Sequence, residues 1–170
     1  MSVTAGCIVA DPPVSRDPVQ TRPVLDTASA VPLSAQVLVV ISGDKNGVKF
    51  TVPVLSEDAG ENLFARFVLD YGAVSEDTLV SQRIPASTYT DTSRSALLPG
   101  WIPKATLKDC HVVTLIVAHE STFTNGNIAK LEPTKARQDA VFMNWWVNID
   151  PALDAIQTLK NCPVPLLPTP

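Results

Sequence analysis

Apolar residues in this chain recur at every second position over short stretches, and clusters of turn-forming residues separate the stretches. Val48, Phe50, Val52 and Val54 alternate with Lys49, Thr51 and Pro53. Leu63, Ala65, Phe67, Leu69 and Tyr71 take one set of alternating positions, and Phe64, Arg66, Val68 and Asp70 take the other. A period of two is that of an extended strand whose side chains point alternately to opposite faces. Gly43-Asp-Lys-Asn-Gly47 precedes the first stretch and carries the Asn-Gly signal for positive φ. Ser56-Glu-Asp-Ala-Gly60 separates the two as a second turn. Pro53 has no N–H for a ladder, which places its strand at an edge or ends it there.

The same logic extends along the chain. Ala35 to Ile41 is a β-branched run long enough for a buried strand, and Asp77 to Ile84 is a weaker strand. Residues 85 to 104 hold Pro85, Pro99, Pro103 and many Ser and Thr, and read as a long connection with Trp101 as a plug. Lys108 to Glu120 is apolar on both faces, as in a central strand. After a loop from Ser121 to about Arg137, the strand Asp139 to Ile149 places Val141, Met143, Trp145 and Val147 on one face. Asp150-Pro151 suits the N-cap and first turn of a helix, with Leu153, Ile156 and Leu159 at helical spacing.

Short strands separated by turns, with no helix long enough for a βαβ crossover, predict an all-β fold. Over residues 34 to 150 the rhythm resembles that of immunoglobulin-like and fibronectin-III-like domains. The resemblance implies an antiparallel immunoglobulin-like β-sandwich with a short C-terminal helix, and a jelly roll is the alternative. One feature departs from the immunoglobulin pattern. There, two core strands carry the cysteines with a Trp between them. Here Cys110 opens a late strand and Cys162 lies beyond the last one.

The chain has 170 residues, of which 45% are hydrophobic and 18% charged, enough for one core-bearing domain with tails. Its longest apolar runs, Val37 to Ile41 and Leu115 to Ala118, are too short to span a bilayer. The net charge is −4 and the basic residues are scattered, which argues against nucleic acid as a partner. Pro12, Pro13, Pro18, Pro23 and Pro32 make residues 8 to 33 a semi-rigid spacer. Pro163, Pro165, Pro168 and Pro170 make a second extended tail. The expected organisation is therefore a start and linker over 1–33, a sandwich over 34–162 and a tail over 163–170.

Three cysteines is an odd number. Cys110 and Cys162 can pair, which leaves Cys7 over. Ala5-Gly6-Cys7, with the proline-rich stretch behind it, resembles the small-small-Cys ending of a bacterial lipobox. The match departs from the pattern in two places: only six residues precede Cys7, and Thr4 stands where an aliphatic residue is usual. The resemblance implies lipidation of Cys7, a membrane partner through that lipid, and an exported domain in the bacterial cell envelope, periplasmic or at the outer membrane.

No catalytic, metal or cofactor motif stands out. His111 and His119 share a strand face but lie about 26 Å apart at strand rise, too far for one ion. They read as two histidines where the strand ends meet solvent. Glu57, Asp58 and Glu61, with Asp44 nearby, read as a solvated acidic turn. Trp145 and Trp146 point to opposite faces. Trp146 shares the mixed face with Phe142, Asn144 and Asn148, a set able to stack on a sugar and hydrogen-bond it. The leading expectation is a non-enzymatic envelope lipoprotein with an envelope protein or glycan as partner. A carbohydrate-binding module and a small hydrolase are the alternatives.

Overall fold

The computed structural model describes residues 20–58, 60–87, 94–123, 139–151 and 162. These residues build two β-sheets, with one short 3-10 turn at Glu120–Thr122. The strands are β1 (Val24–Leu25), β2 (Leu38–Val40), β3 (Val48–Leu55), β4 (Leu63–Leu69), β5 (Asp77–Ile84), β6 (Ser95–Trp101), β7 (Asp109–His119) and β8 (Val141–Ile149). One sheet has the order β1-β3-β6 and the other β2-β8-β7-β4-β5. All pairs are antiparallel except β2, which runs parallel to β8.

The two sheets face each other across one apolar core, so the fold is all-β and sandwich-like. The small sheet contributes Phe50, Val52, Val54, Ala96, Leu98 and Trp101; the large one contributes Phe67, Leu115, Val117, Met143, Trp145 and Ile149, among others. Phe50 meets Trp145 edge-on with ring centroids 4.9 Å apart, and Phe67 stacks on Trp145 at 6.1 Å. Each of these rings is fully buried. Trp145 also has an indole N–H, which burial would strand, and it donates to the carbonyl of Pro32 at 2.8 Å.

The expected alternation holds in β3, β4 and β8. Leu63, Ala65, Phe67 and Leu69 all enter the core, as do Met143, Trp145 and Val147. Strand β5 runs from Asp77 to Ile84 as expected. Strand β7 is central, between β4 and β8. Its outer-face residues Val112, Thr114, Ile116 and Ala118 are as buried as its inner ones.

Five expectations need correction. Residues 85 to 104 are not one connection, because Ser95–Trp101 is β6 and pairs with β3. Its alternation is broken where Pro99 and Gly100 together oppose Lys49, a bulge at the register shift between Val48 and Phe50. Gly100 sits at φ 64° there, and Gly47 at φ 57° approaches it so closely that a Cβ would lie 2.8 Å from the Gly100 backbone. Pro53 does not mark an edge, since β3 is the middle strand of its sheet. The Pro53 carbonyl accepts from Asp26, so by strand parity its missing N–H faces residues 26 to 31, where the β1 ladder is interrupted.

The described part of the proline-rich stretch is packed on the domain rather than held off as a spacer. Val24 and Leu25 pair with Leu55 and Val54, Val31 bridges Thr51, and Ala30 is buried. Finally, β2 is an edge strand and not a buried one. Val37, Val39 and Ile41 are exposed while Val40 is buried, and among the described residues the strand pairs only with β8. The expected C-terminal helix and the terminal tails at 1–19 and 163–170 lie outside the described residues. Asp150 does not adopt an N-cap conformation; it has φ 46° and its carboxylate accepts from Ser42 and Lys108. Those bonds, the Lys108 ammonium foremost, hold its carboxyl down at about 2.

Two outcomes follow from this packing. Trp145→Ala should cost about 3–5 kcal/mol in urea unfolding, from lost burial and the cavity left behind. Shortening the chain to begin at residue 34 should lower Tm by about 5 °C or more, because Val24, Leu25, Ala30 and Val31 are packed or paired on the domain. The first is read by urea titration and the second by thermal melts, each followed by circular dichroism.

Candidate functional site

The two histidines occupy opposite ends of β7, and each is held by an aspartate from another segment. Both face inward, at positions of the same parity as Val113, Leu115 and Val117. A histidine at an apolar position needs a partner for each ring nitrogen it buries.

At the start of β7, His111 Nδ1 lies 2.7 Å from Asp70 Oδ2, and Nε2 lies 3.1 Å from the Lys108 carbonyl. Asp70 ends β4 at φ 51°, and its other oxygen accepts from the Val112 amide at 3.0 Å. A carboxylate and a carbonyl are both acceptors, so both ring nitrogens must carry hydrogen, which is the imidazolium form. The Asp70 bond accordingly raises the His111 pKa above 6.5, against the opposing effect of burial.

At the end of β7, His119 is 1% exposed. Its Nδ1 lies 2.5 Å from Asp139 Oδ1, and its backbone N–H donates to Asp139 Oδ2 at 2.7 Å. Thr122 Oγ1 donates to that same Oδ2. On the opposite side of the ring, Nε2 stands 3.2 Å from Asp58 Oδ2, within ion-pair reach but out of line for a hydrogen bond. Asp58 also accepts from the Thr21 amide at 2.7 Å and the Thr21 hydroxyl at 3.0 Å. The Asp139 bond raises the His119 pKa above 6.5, and Asp58 and Glu61 add to the rise. Burial pushes the Asp139 carboxyl up, but bonds from His119 and Thr122 outweigh it and hold the group below 3.8.

His119 therefore does not meet solvent, and Asp58 is not part of a solvated acidic turn. Neither residue could be paired from sequence, because Asp58, His119 and Asp139 come from three separated segments. The available signal was a histidine on a strand face otherwise made of valine and leucine. Chemically, the arrangement is a charge clamp. Where a hydrolytic triad places a hydroxyl nucleophile at Nε2, this site places a second carboxylate. Among the described residues, no group of three or more His, Cys, Asp or Glu side chains is arranged to hold a metal ion. A cleft of about 330 Å³ lies between β5 and β6, lined by Gln82, Arg83, Ser87, Arg94 and neighbours, with neither histidine in its wall.

The structure places the other candidates as follows. Cys110 and Cys162 sit at disulfide distance, with sulfurs 2.10 Å and Cα atoms 4.7 Å apart. Cys110 belongs to the outer-face parity of β7 and pairs with Asn148. On the outer face of β8, Phe142 and Trp146 are half-buried, and Asn148 is 3% exposed. Phe142 packs near Tyr71, with Val68 and Ile116 in the same cluster. Asn144 lies directly across from Thr114. Among the described residues, Asn144 Oδ1 and Thr114 Oγ1 are buried without a hydrogen-bond partner. Cys7 lies outside the described residues. No protein-family model matches the chain, and a search of curated proteins finds no significant sequence similarity.

The clamp fixes a pH dependence. The histidines have folded pKa values above 6.5, so their contribution is complete below 6.5 and is lost as pH rises through the raised values. Asp139 has a folded pKa below 3.8, so its contribution is present above 3.8 and lost as pH falls through the lowered value. Urea midpoints should therefore peak between these limits and decline toward alkaline pH. His119→Asn should reduce the alkaline decline, and Asp139→Ala should cost about 1–3 kcal/mol by leaving the buried Nδ1 and backbone N–H of His119 without their acceptor.

Proposed function

We propose that this chain is a non-enzymatic interaction domain of the bacterial cell envelope, exported and carried on a lipid attached to Cys7. The observation that carries the reading is the placement of Cys110 and Cys162 at disulfide distance. Such pairs persist in oxidising compartments outside the cytoplasm. Their pairing leaves Cys7, in Thr4-Ala-Gly-Cys7, as the odd cysteine of the three. The disulfide closes a loop of 52 residues, so reduction should cost about 3–4 kcal/mol by loop entropy. A dithiol-dependent fall in the urea midpoint, absent in Cys110→Ser/Cys162→Ser, would measure it.

Strand order supports an immunoglobulin-like version of the sandwich. The early strands divide between the sheets, with β1 beside β3 and β2 crossing to run parallel with β8. The connections β3–β4 and β6–β7 pass from one sheet to the other. Domains of this type commonly serve recognition, and partners here would be an envelope protein or a glycan.

The address is tested by expressing the native gene, with its in-frame upstream sequence, in a Gram-negative host. Mass spectrometry of the N-terminal peptide should find a lipid-modified Cys7 as the first residue. An unmodified Cys7 preceded by Met1 would remove the anchored reading.

A carbohydrate-binding reading is favoured by one specific feature. Trp146 is half-exposed on the face that also holds Phe142, Asn144 and Asn148. An aromatic ring beside amide side chains is the pattern of a sugar subsite. In that case Trp146→Ala should keep the melting temperature while abolishing retention on glycan or envelope extracts. Equal retention by the variant would exclude this face.

A further inference from the structure

We infer that Thr21, Asp58, His119 and Asp139 form a proton-operated latch that fastens the N-terminal segment to the sandwich and releases it when His119 becomes neutral. Four parts of the chain meet there. Thr21 precedes β1, Asp58 lies on the turn between β3 and β4, His119 ends β7, and Asp139 precedes β8. A single oxygen, Asp58 Oδ2, receives both Thr21 bonds and faces His119 Nε2 at 3.2 Å.

With Nε2 protonated, this oxygen is attracted to the ring. When the proton leaves, Nδ1 keeps its hydrogen, because Asp139 is fixed by the His119 amide and Thr122 as an acceptor toward it. Nε2, without its proton, is then a second acceptor 3.2 Å from a carboxylate oxygen. Two acceptors face each other in a buried site, where such a contact is strongly unfavourable. Asp58 is the member able to yield. Its side chain is 19% exposed, against 11% for Asp139 and 1% for His119. Thr21 then loses the acceptor of both its amide and its hydroxyl.

The charged surroundings act in one direction. Glu61, on the same turn as Asp58, adds negative potential at the ring. Glu120 follows His119 but is engaged by Arg83 and Asn62. Arg22 follows Thr21 on the N-terminal segment. From β4, Leu63 pairs with His119 and brings no charge. If residues 7–20 are the tether from the lipid on Cys7 proposed above, release at Thr21 lengthens it; only that consequence rests on the tether reading, and the latch itself does not.

The Thr21 amide reports the latch directly, because it donates to Asp58. Its hydrogen-exchange protection is measured by NMR in the full, lipid-free chain from about pH 6 to about pH 9, relative to the intrinsic rate at each pH. Protection should fall by up to about tenfold per pH unit as pH rises toward the raised His119 pKa and level off above it. The Val54 amide, which donates to the Arg94 carbonyl in the sheet, should stay protected throughout. The midpoint of the Thr21 loss should match the titration of the His119 ring read from its nitrogen shifts. Asp58→Asn with its amide oxygen in the Oδ2 position keeps an acceptor for Thr21 but removes the charge that responds to the ring, so its protection should change far less over the same range. Constant Thr21 protection in the native chain overturns the latch. So does a fall shared with Val54, a midpoint that misses the ring titration, or an unchanged pH response in a folded Asp58→Asn. Should that variant fail to fold, the native-chain comparison and the ring titration still decide. Absence of lipid on Cys7 would leave all these outcomes unaffected.

Discussion

The burial of Trp145 between two facing sheets is the interaction on which the rest of this structure depends. Phe50 from the small sheet and Phe67 from the large one close on its ring from different directions. Removing three large rings from water is the kind of gain that offsets the entropy of ordering strands far apart in sequence. The indole also carries a polar atom, and its donation to Pro32 draws the segment before β2 against the large sheet. A stretch that composition marks as extended and separate becomes part of the wall of the core.

The same core explains why the histidines are paired. Strand β7 runs the full length of the large sheet, and its inner face is Val113, Leu115 and Val117 between His111 and His119. A polar ring at either end of such a row is pulled toward burial by its neighbours. It can stay only if an acceptor is brought to each nitrogen. Asp70 and the Lys108 carbonyl do this for His111, and Asp139 does it for His119 with Asp58 at ion-pair distance; the aspartates reach in from turns and strand ends, where backbone geometry lets a short acidic side chain reach back. The clamps thereby fasten the turns to the sheet, so the polar groups organise connections that the apolar core alone would leave loosely placed.

Much of the fold was legible because one face of most strands is wholly apolar. Parity gave the inner sets of β3, β4 and β8, the bounds of β5 and the central position of β7. Strand β6 was hidden because Pro99-Gly100 breaks its alternation at the bulge, so Ala96, Leu98 and Trp101 do not fall on one simple period. Strand β1 has two residues, too few to show any period. Strand β2 was misjudged because Val37 and Val39 are as apolar as Leu38 and Val40, and hydrophobicity alone does not say which row has a sheet to cover it. The aspartate clamps were not legible at all, since their partners are distant in sequence and joined only by strand register.

The parallel pairing of β2 with β8 gives this domain a mechanical direction. A pull from the N-terminal side reaches β2 at Leu38. A pull from beyond residue 162 enters either through β8 at Ile149 or through Cys110, and Cys110 pairs with Asn148 at that same end of the sheet. The two loads therefore act from opposite ends of adjacent strands. Strands loaded in this way slide past each other, so the rungs between Leu38–Val40 and Val147–Ile149 bear the force together instead of opening one after another. Strand β1 runs antiparallel to β3 and is entered from Thr21, next to where its ladder begins at Val24 and Leu55. It can peel away rung by rung. The molecule thus has a compliant first attachment and a stiff second one, in series from the same end.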